Sequence, residues 1–418
     1  MNRKRIAFLN FPHGFTPIIR GTNLAKNGHE VYFFSPNGFY YSPSKYKSIK
    51  CIKINWNGIE YYNNKSLCTN SNDSINIKLI EYIIKIFPEF LRWRLHKYYN
   101  IFLKSIVENI KILLKYYQVF RLSKTIRLDI LHIVDMFSYC QYSIISGSKK
   151  IVLEPAGSDL LVHPISKPIL KTIYRFCFKF ADAVVQDGPS LQNAGLKYGA
   201  PQKHNKVISL GVRDDIFNLD VKKGVAKAKL HIGKNIKVIL SPRGINKVYN
   251  LDIIIKSIPL VVSSVPNVIY VFCSSMSSSK SIDFLKNLCV ELDISKYVKF
   301  LDPIDWDTEL KFFYKDSDLI LSVPSSDSFP ISVLEAMACG VPVIATQLPW
   351  YKNTFIPGKD FLTVPIRNYI KLADETINIL NNKTKIDTEY VSKKVINQLS
   401  SINESNRLEV LYEQILYT

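Results

Sequence analysis

The sequence has few cysteines, and their spacing is not that of a metal ribbon or a disulfide framework. Its 418 residues include seven cysteines, which are scattered singly with no CxxC pair. We therefore expect buried free thiols and a reducing, cytoplasmic location. Walker A, HExxH and Gly-x-Gly-x-x-Gly sequences are also missing. ATP hydrolysis, zinc proteolysis and dinucleotide redox chemistry therefore have no positive support.

Long apolar runs are missing as well. No unbroken apolar stretch approaches the roughly 18 to 20 residues that span a bilayer. The N-terminus passes from basic residues directly into the strand-like Ile6-Ala7-Phe8-Leu9, without the apolar region of a signal peptide. We expect a soluble or peripheral protein. With 47% hydrophobic residues the chain is too long for one ordinary core, so two domains are expected.

Acidic residues are in deficit, with 35 Asp and Glu against 55 Lys and Arg, a formal net charge of +20. Genome bias alone can produce such a composition, but the excess is concentrated between Lys85 and Arg127. That segment holds ten basic residues, nine aromatic residues and only two acidic ones. This composition is typical of a surface that settles on an anionic membrane. Single-stranded nucleic acid is the competing partner. We expect no binding to nucleic acid, because no helix-turn-helix, zinc-finger or RNP pattern is present.

Short apolar runs alternate with helix-length segments along the chain, which predicts doubly wound α/β domains. Strands are predicted at 6–11, 29–34, 49–54, 130–134, 150–153, 183–186, 207–209, 237–241, 268–273, 298–300, 319–323 and 343–346. The predicted domains are 1–205 and 206–399, and the connection between them is expected near 211–215. A helix at about 400–418 is expected to pack back on the first domain.

The most informative segment is 325–346, which follows the apolar run 319–323. Pro330 suits the first turn of a helix, Gly340 and Pro342 end it, and the next buried strand follows. A helix that starts just after a strand places backbone N–H groups and a positive dipole where open α/β sheets bind ligands. That arrangement suits a nucleoside diphosphate. Glu335 is the one charged residue of this apolar helix, and it either faces solvent or accepts hydrogen bonds from a bound diol.

Other polar residues follow predicted strands and have two interpretations each. Arg243, after the strand 237–241, either forms a surface ion pair or aims its guanidinium group into the crevice of the sheet. Lys247 is either a second phosphate-binding cation or a solvent-exposed side chain. Asp159, in Gly157-Ser158-Asp159, is an acceptor-side carboxylate or a helix N-cap. His13 is a loop residue or an acceptor-site base, and Gly14 would let the backbone approach phosphates.

The segment 325–346 resembles the donor-binding motif of the retaining GT-B glycosyltransferases of family 4, the group 1 transferases. Those enzymes use an acidic residue, seven intervening residues and a Glu, which Asp327 and Glu335 match. The resemblance implies that Glu335 holds the donor ribose, that Asp327 lies near the sugar and that Arg243 binds the diphosphate. The predicted donor site also includes Gly14, Lys247, Ser328, Phe329, Pro330 and Ile331. The predicted acceptor side consists of His13, Ser158 and Asp159.

Two positions depart from that family pattern. Ala156 stands where many relatives have a histidine near the transferred sugar, and Tyr249-Asn250 stands where the family usually has Lys-Gly. The usual role of the histidine therefore does not carry over to this chain. The second phosphate-binding cation is left to Lys247.

The resemblance implies the GT-B fold, with two doubly wound Rossmann-like domains facing across a cleft. It also implies transfer of a hexose from a UDP- or GDP-linked donor with retention, without a bound metal or other cofactor. We expect a lipid-linked saccharide acceptor in surface polysaccharide or glycan assembly, and a cytoplasmic enzyme at the inner face of the membrane. Two alternatives stay open. One is a GT-B sugar-nucleotide epimerase, and the other is a non-catalytic membrane- or nucleic-acid-binding protein with a decayed transferase fold.

Overall fold

The chain forms two compact units in a computed structural model that describes residues 3–9, 16–36, 48–55, 58–62, 96–274, 279–352 and 354–418. The first unit comprises Met1–Asp187, Leu191–Ile208 and Ser405–Thr418. The second comprises Gly188–Ser190 and Ser209–Glu404. The C-terminal segment thus belongs to the first unit.

The first unit is built on a sheet with the strand order β4-β3-β2-β1-β5-β6-β7-β8. Its pairings are parallel except for the antiparallel β3 and β4. The strands are β1 Arg5–Leu9, β2 Glu30–Ser35, β3 Lys50–Asn55, β4 Gly58–Tyr62, β5 Ile130–Val134, β6 Lys150–Glu154, β7 Ala183–Gln186 and β8 Asn205–Val207. The helices are α1 Thr16–Lys26, α2 His96–Thr125, α3 Met136–Tyr139, α4 Ser158–Leu161, α5 His163–Ser166, α6 Ile169–Phe178 and α7 Pro189–Lys197. Every residue of β5 is buried, as expected for a parallel strand covered on both faces.

The second unit is built on a parallel sheet with the strand order β11-β10-β9-β12-β13-β14. The strands are β9 Lys237–Ser241, β10 Val268–Cys273, β11 Val298–Leu301, β12 Leu319–Ser322, β13 Val343–Thr346 and β14 Leu362–Val364. The helices are α8 Val225–Lys229, α9 Leu251–Ser264, α10 Ser279–Glu291, α11 Leu310–Lys315, α12 Ile331–Ala338, α13 Tyr369–Leu380 and α14 Thr388–Leu399. Val238 and Leu240 of β9 face one hydrophobic core and Ile239 faces the other. The sheet is therefore covered on both sides.

The last helix, α15 Ser401–Leu416, runs from the second unit into the first. Leu408, Leu411, Tyr412 and Ile415 are buried in the core of the first unit. At the helix start, Glu404 accepts a hydrogen bond from the backbone N–H of Gly211 at 2.8 Å. A Cβ on Gly211 would lie 2.4 Å from the carbonyl oxygen of Ser400, so the close approach of these two segments requires glycine.

The prediction that 207–209 opens the second domain was wrong. The strand runs from Asn205 to Val207 and pairs with β7 at the edge of the first sheet. The six described cysteines are free and buried, as expected, and Cys68 lies outside the described residues. Within the described part of the chain, no helix is long and apolar enough to cross a membrane.

Candidate active site

The loops after β9 and β12 meet at the point where the strand order of the second unit reverses. From β9 the chain proceeds outward to β10 and β11, and it then returns to place β12 on the other side of β9. The two strands pair in parallel, with Leu319 opposite Ile239 and Ile320 opposite Leu240. Since ligands of open α/β sheets bind outside the carboxyl ends of the strands at such a reversal, residues 242–250 and 323–331 occupy the favoured position.

Arg243 leaves the end of β9 and is held by three side chains of the second unit. Its Nη2 lies 3.0 Å from Oδ2 of Asp327, and Nη1 donates to Oγ of Ser332 at 3.2 Å. The centre of the guanidinium group lies 4.2 Å from the ring centroid of Tyr249. Burial alone would lower the pKa of Arg243, but Asp327 and Tyr249 outweigh it and raise that pKa. The guanidinium group is therefore a fixed positive charge.

Asp327 lies in the loop between β12 and α12, and only 11% of its side chain is exposed. Burial raises the pKa of Asp327, whereas Arg243 and the backbone N–H groups of Ser328 and Phe329 act in the opposite direction. The ion pair places a carboxylate and a guanidinium group together at the start of α12. It therefore brings together two residues that the sequence assigned to one site.

The predicted donor-binding residues 328–331 form the entry to α12. Phe329 and Pro330 are buried, while Ser328 and Ile331 are partly exposed. The helix begins at Ile331, with Pro330 at the N-cap rather than in the first turn. Its C-terminal end is closed as predicted by Gly340, whose φ is 74°. The backbone N–H of Val341 donates to the carbonyl of Ala336 at 3.1 Å, which satisfies a free carbonyl of the last turn.

Glu335 is 1% exposed, so the interpretation that it faces solvent was wrong. Its Oε1 accepts a hydrogen bond from Nε1 of Trp306 at 2.9 Å, and its Oε2 accepts one from the hydroxyl of Tyr314 at 2.9 Å. Burial raises the pKa of Glu335 to about 8, while Tyr314, Trp306 and Arg243 act against that shift. The carboxyl group does not face solvent, and its contact with a ribose stays a prediction.

The segment that departs from the family pattern supports Arg243. Lys247 is exposed, so it is available to solvent at the edge of this site. Tyr249 stacks on the guanidinium group. Asn250 has a φ of 51°, which asparagine tolerates better than most residues. Its amide Nδ2 donates to the carbonyl of Val323 at 2.9 Å and to Oγ of Ser325 at 2.8 Å. Asn250 thus joins the loop after β9 to the loop after β12.

The proposed acceptor-side residues belong to the first unit. Ser158 is exposed, but Asp159 is 1% exposed and lies within α4, whose N-cap is Gly157. Oδ2 of Asp159 accepts hydrogen bonds from the backbone N–H groups of Met136 and Ala156, and Oδ1 accepts one from Leu160. Burial raises the pKa of Asp159 to about 7 despite these bonds. The N-cap interpretation was wrong, because Asp159 lies inside the helix and its carboxyl group joins two segments of the chain. Its contact with an acceptor stays a prediction. His13 and Gly14 lie outside the described residues.

Four residues of this site were not identified from the sequence: Trp306, Tyr314 and Ser332 contact the predicted residues directly, and Asn250 fixes their loops. Trp306 and Tyr314 are 29 and 21 residues from Glu335 in the chain. No local pattern links residues that far apart. A buried glutamate requires hydrogen-bond donors, so the sequence could have indicated that such donors exist but not which residues supply them.

Comparisons with known proteins agree on one group. The model of the family described as glycosyl transferases group 1 matches residues 223–396, and the glycosyl transferase 4-like model matches residues 94–188. N-acetyl-alpha-D-glucosaminyl L-malate synthase of Bacillus anthracis is 25% identical over 297 residues, which cover 69% of this chain and 75% of that protein.

The solved structures that resemble the whole chain include HepE and WaaG. HepE of Anabaena, in complex with UDP and glucose, superposes with a TM-score of 0.73 at 12% identity, over 99% of this chain and 100% of that one. WaaG, a glycosyltransferase involved in lipopolysaccharide biosynthesis, has a TM-score of 0.61 at 14% identity and 98% coverage of both chains. At such identities these likenesses show the GT-B fold alone, which confirms the predicted fold class.

Proposed function

Because this chain belongs to the group 1 glycosyltransferases, we propose that it transfers a hexose from a nucleoside-diphosphate donor to a saccharide acceptor. Transfer proceeds with retention of configuration and without a bound metal. The observation that carries the proposal is Arg243, which is fixed by Asp327, Ser332 and Tyr249 where the strand order of the second sheet reverses.

The chemical requirement is to stabilise the negative charge that develops on the departing diphosphate. A guanidinium group held in place by neighbours needs no rearrangement as that charge appears. Its fork of N–H groups matches phosphate oxygens, and the start of α12 adds backbone N–H groups and a helix dipole. Lys247, exposed in the same loop region, supplies the second cation. Asp327 orients Arg243 and accepts hydrogen bonds from the sugar.

We further propose a UDP- or GDP-linked donor and a lipid-linked saccharide acceptor in surface polysaccharide or glycan assembly. The UDP complex of HepE supports the first part, and the lipopolysaccharide role of WaaG supports the second. The acceptor is handled by the first unit. The enzyme is cytoplasmic and peripheral at the inner face of the membrane, which the basic, aromatic segment 85–127 favours.

A radiolabelled donor panel tests this proposal. Purified full-length protein is incubated with UDP- and GDP-linked sugars, with and without a bacterial lipid extract. The expected result is label in the lipid phase that depends on one donor and on the extract. Release of an altered free sugar without any acceptor would instead indicate an epimerase. Failure of the protein to bind any sugar nucleotide of the panel would contradict both enzymatic assignments.

A further inference from the structure

An exposed apolar stripe follows α5 and α6 on the first unit. Three members lie four and three residues apart on α6 and therefore share one side of that helix, while the first lies on α5 and the last follows the end of α6. The stripe consists of Ile165 (74% exposed), Ile169 (67%), Ile173 (39%), Phe176 (49%) and Phe180 (38%). The rings of Phe176 and Phe180 form an edge-to-face pair with centroids 5.3 Å apart. The stripe therefore extends past the end of α6 to Phe180.

The opposite side of α6 already covers the core of its own unit. Tyr174, Cys177 and Phe178 are buried there. The helix is thus apolar on two sides, and among the described residues one of these sides packs into the core. Single exposed apolar residues are normal on a soluble protein, but five at helical spacing form a patch of the kind that marks an interaction site.

The same segment also carries a row of basic residues. Lys167, Lys171, Arg175 and Lys179 recur at every fourth position. Between residues 160 and 181 the sequence has no aspartate or glutamate. Lys167, Arg175 and Lys179 are exposed, and Lys171 is partly exposed. The partner of this face must therefore offer both negative charge and an apolar interior.

An anionic bilayer has both properties, because its headgroups attract lysine and arginine while its acyl region accepts isoleucine and phenylalanine. A nucleic acid matches the charge but offers no apolar region to three exposed isoleucines. A second copy of the chain would bring a second row of lysines and arginines against the first. Both competitors fit less well than lipid.

We propose that the outer face of 165–180 docks on an anionic lipid surface, with the isoleucine and phenylalanine stripe in the interface and the basic row against the headgroups. The inference deepens the membrane part of the proposed function, and it names a surface outside the segment 85–127. Docking through this face would hold the first unit at the interface where a lipid-linked acceptor lies.

Vesicle sedimentation tests the docking of the full-length protein. The vesicles are phosphatidylglycerol–phosphatidylcholine or phosphatidylcholine alone, at low and high salt. One variant carries Lys171→Gln, Arg175→Gln and Lys179→Gln, and another carries Ile169→Ser, Ile173→Ser and Phe176→Ser. We expect the charge variant to lower binding to anionic vesicles by about 100-fold, since each basic side chain near such a surface contributes roughly a fivefold factor. The apolar variant should also lower binding, because its serines no longer enter the acyl region. The matched control is Phe284→Ser with Val290→Ser on α10, whose residues are 62% and 69% exposed.

Three outcomes overturn the inference. Wild-type binding by both triple variants would show that lipid contacts another surface. Equal binding of the wild type to neutral and anionic vesicles would remove the role of the basic row. A stable dimer that dissociates in the triple variants, without vesicle binding, would assign the face to a second copy of the chain. Binding is compared only between variants whose thermal unfolding midpoint equals that of the wild type. If the apolar variant unfolds, the charge variant, which alters only surface residues, still tests the inference.

Nucleotide binding and sugar transfer separate this inference from the proposed function. Loss of vesicle binding with unchanged calorimetric affinity for UDP or GDP supports docking and leaves the donor site intact. A protein that docks through 165–180 but transfers no sugar would retain the inference and contradict the proposed function. Transfer by a protein whose triple variants still dock would do the reverse.

Discussion

The indole N–H of Trp306 donates a 2.9 Å hydrogen bond to Oε1 of Glu335, at the centre of the motif that resembles a donor site. Oε2 of the same carboxyl group accepts the hydroxyl of Tyr314. Phe217 packs on both donors, with ring centroids 5.4 Å from Trp306 and 5.8 Å from Tyr314. The carboxyl group is therefore enclosed by aromatic side chains, and its protonation is coupled to folding.

Glu335→Gln should alter the pH dependence of stability. The folded-state pKa is raised from 4.5 to about 8, so the native protein binds the proton more tightly than the unfolded chain between those values. The wild type should lose stability relative to the variant as pH rises from about 4.5 to 8, by up to about 1.4 kcal/mol per pH unit, and no further above that. Urea unfolding midpoints of both proteins at pH 5, 6, 7 and 8 measure this difference.

The same variant should fold well at neutral pH. The glutamine oxygen can accept from Trp306, and its amide can donate to the hydroxyl of Tyr314, which also accepts. Nucleotide affinity measured above about pH 8, where the carboxyl group is ionised, should nevertheless fall, since a charge-assisted hydrogen bond to ribose is worth roughly 1.5 to 3 kcal/mol. An unchanged affinity in calorimetry would remove Glu335 from the donor site. A midpoint difference that does not vary with pH would contradict the raised pKa.

Arg243→Lys should not be a conservative change. One ammonium group cannot reproduce the contacts of the guanidinium group with Asp327, Ser332 and the ring of Tyr249 while also binding phosphate oxygens. We expect the transfer rate to fall by about 10² to 10³, measured with saturating donor. Arg213→Lys is the matched control, because Arg213 pairs with Asp215 in the same unit. Near-normal turnover of Arg243→Lys would make the arginine structural.

The sequence predicted the strands best where they are continuous apolar runs. The bounds of β5, β7, β9 and β10 agree with the predicted ranges, because each strand is buried on both faces of a parallel sheet. β4 and β14 were missed. Each lies at one edge of its sheet, and β14 has only three residues. β8 was assigned to the wrong unit because its single apolar residue, Val207, carries little pattern.

The sequence also located the second-unit candidates in one place but could not supply their partners. Arg243 and Asp327 were predicted near each other because each follows a strand, and parallel strands end at one edge of the sheet. The aromatic enclosure of Glu335 depends on Trp306, which is 29 residues away in a loop before α11. Asp159 misled in a different way. A polar residue near a helix start usually faces out, whereas this carboxyl group accepts three backbone N–H groups.

Substitutions of Tyr249 and Lys247 should have different effects on sugar transfer. Tyr249→Phe keeps a ring over the guanidinium group and should change turnover little. Tyr249→Ala removes a cation–π contact worth about 0.5 to 2 kcal/mol, which corresponds to a rate loss of roughly 2- to 30-fold. Lys247→Ala should raise the KM for the donor if the side chain binds the diphosphate. Steady-state kinetics of the three variants measure these effects, and equal rates for all three would leave Arg243 as the proposed side-chain cation.

Asn250 should show how far the two loops of the donor site depend on one residue. Asn250→Gly keeps a backbone that adopts φ 51° easily but loses the bonds to Val323 and Ser325. Asn250→Ala loses those bonds and also strains the backbone. We expect the alanine variant to be less stable than the glycine variant by about 1 kcal/mol, with both below the wild type in thermal unfolding. The reverse order would show that the left-handed backbone is not the reason for asparagine here.

Asp159 should matter for the stability of the first unit and not for the donor. Asp159→Asn can place its one amide oxygen where Oδ2 accepts from Met136 and Ala156, but its NH₂ group then faces the N–H of Leu160. A buried donor left without an acceptor costs about 1 to 3 kcal/mol, and Asp159→Ala, which leaves three, should cost more. Ser158→Ala, at the exposed neighbouring position, is the matched control and should unfold like the wild type. Because the proposed donor residues described here lie in the second unit, calorimetric affinity for UDP or GDP should be the same in all folded variants. A loss of nucleotide affinity in Asp159→Asn at an unchanged unfolding midpoint would return this carboxyl group to the active site.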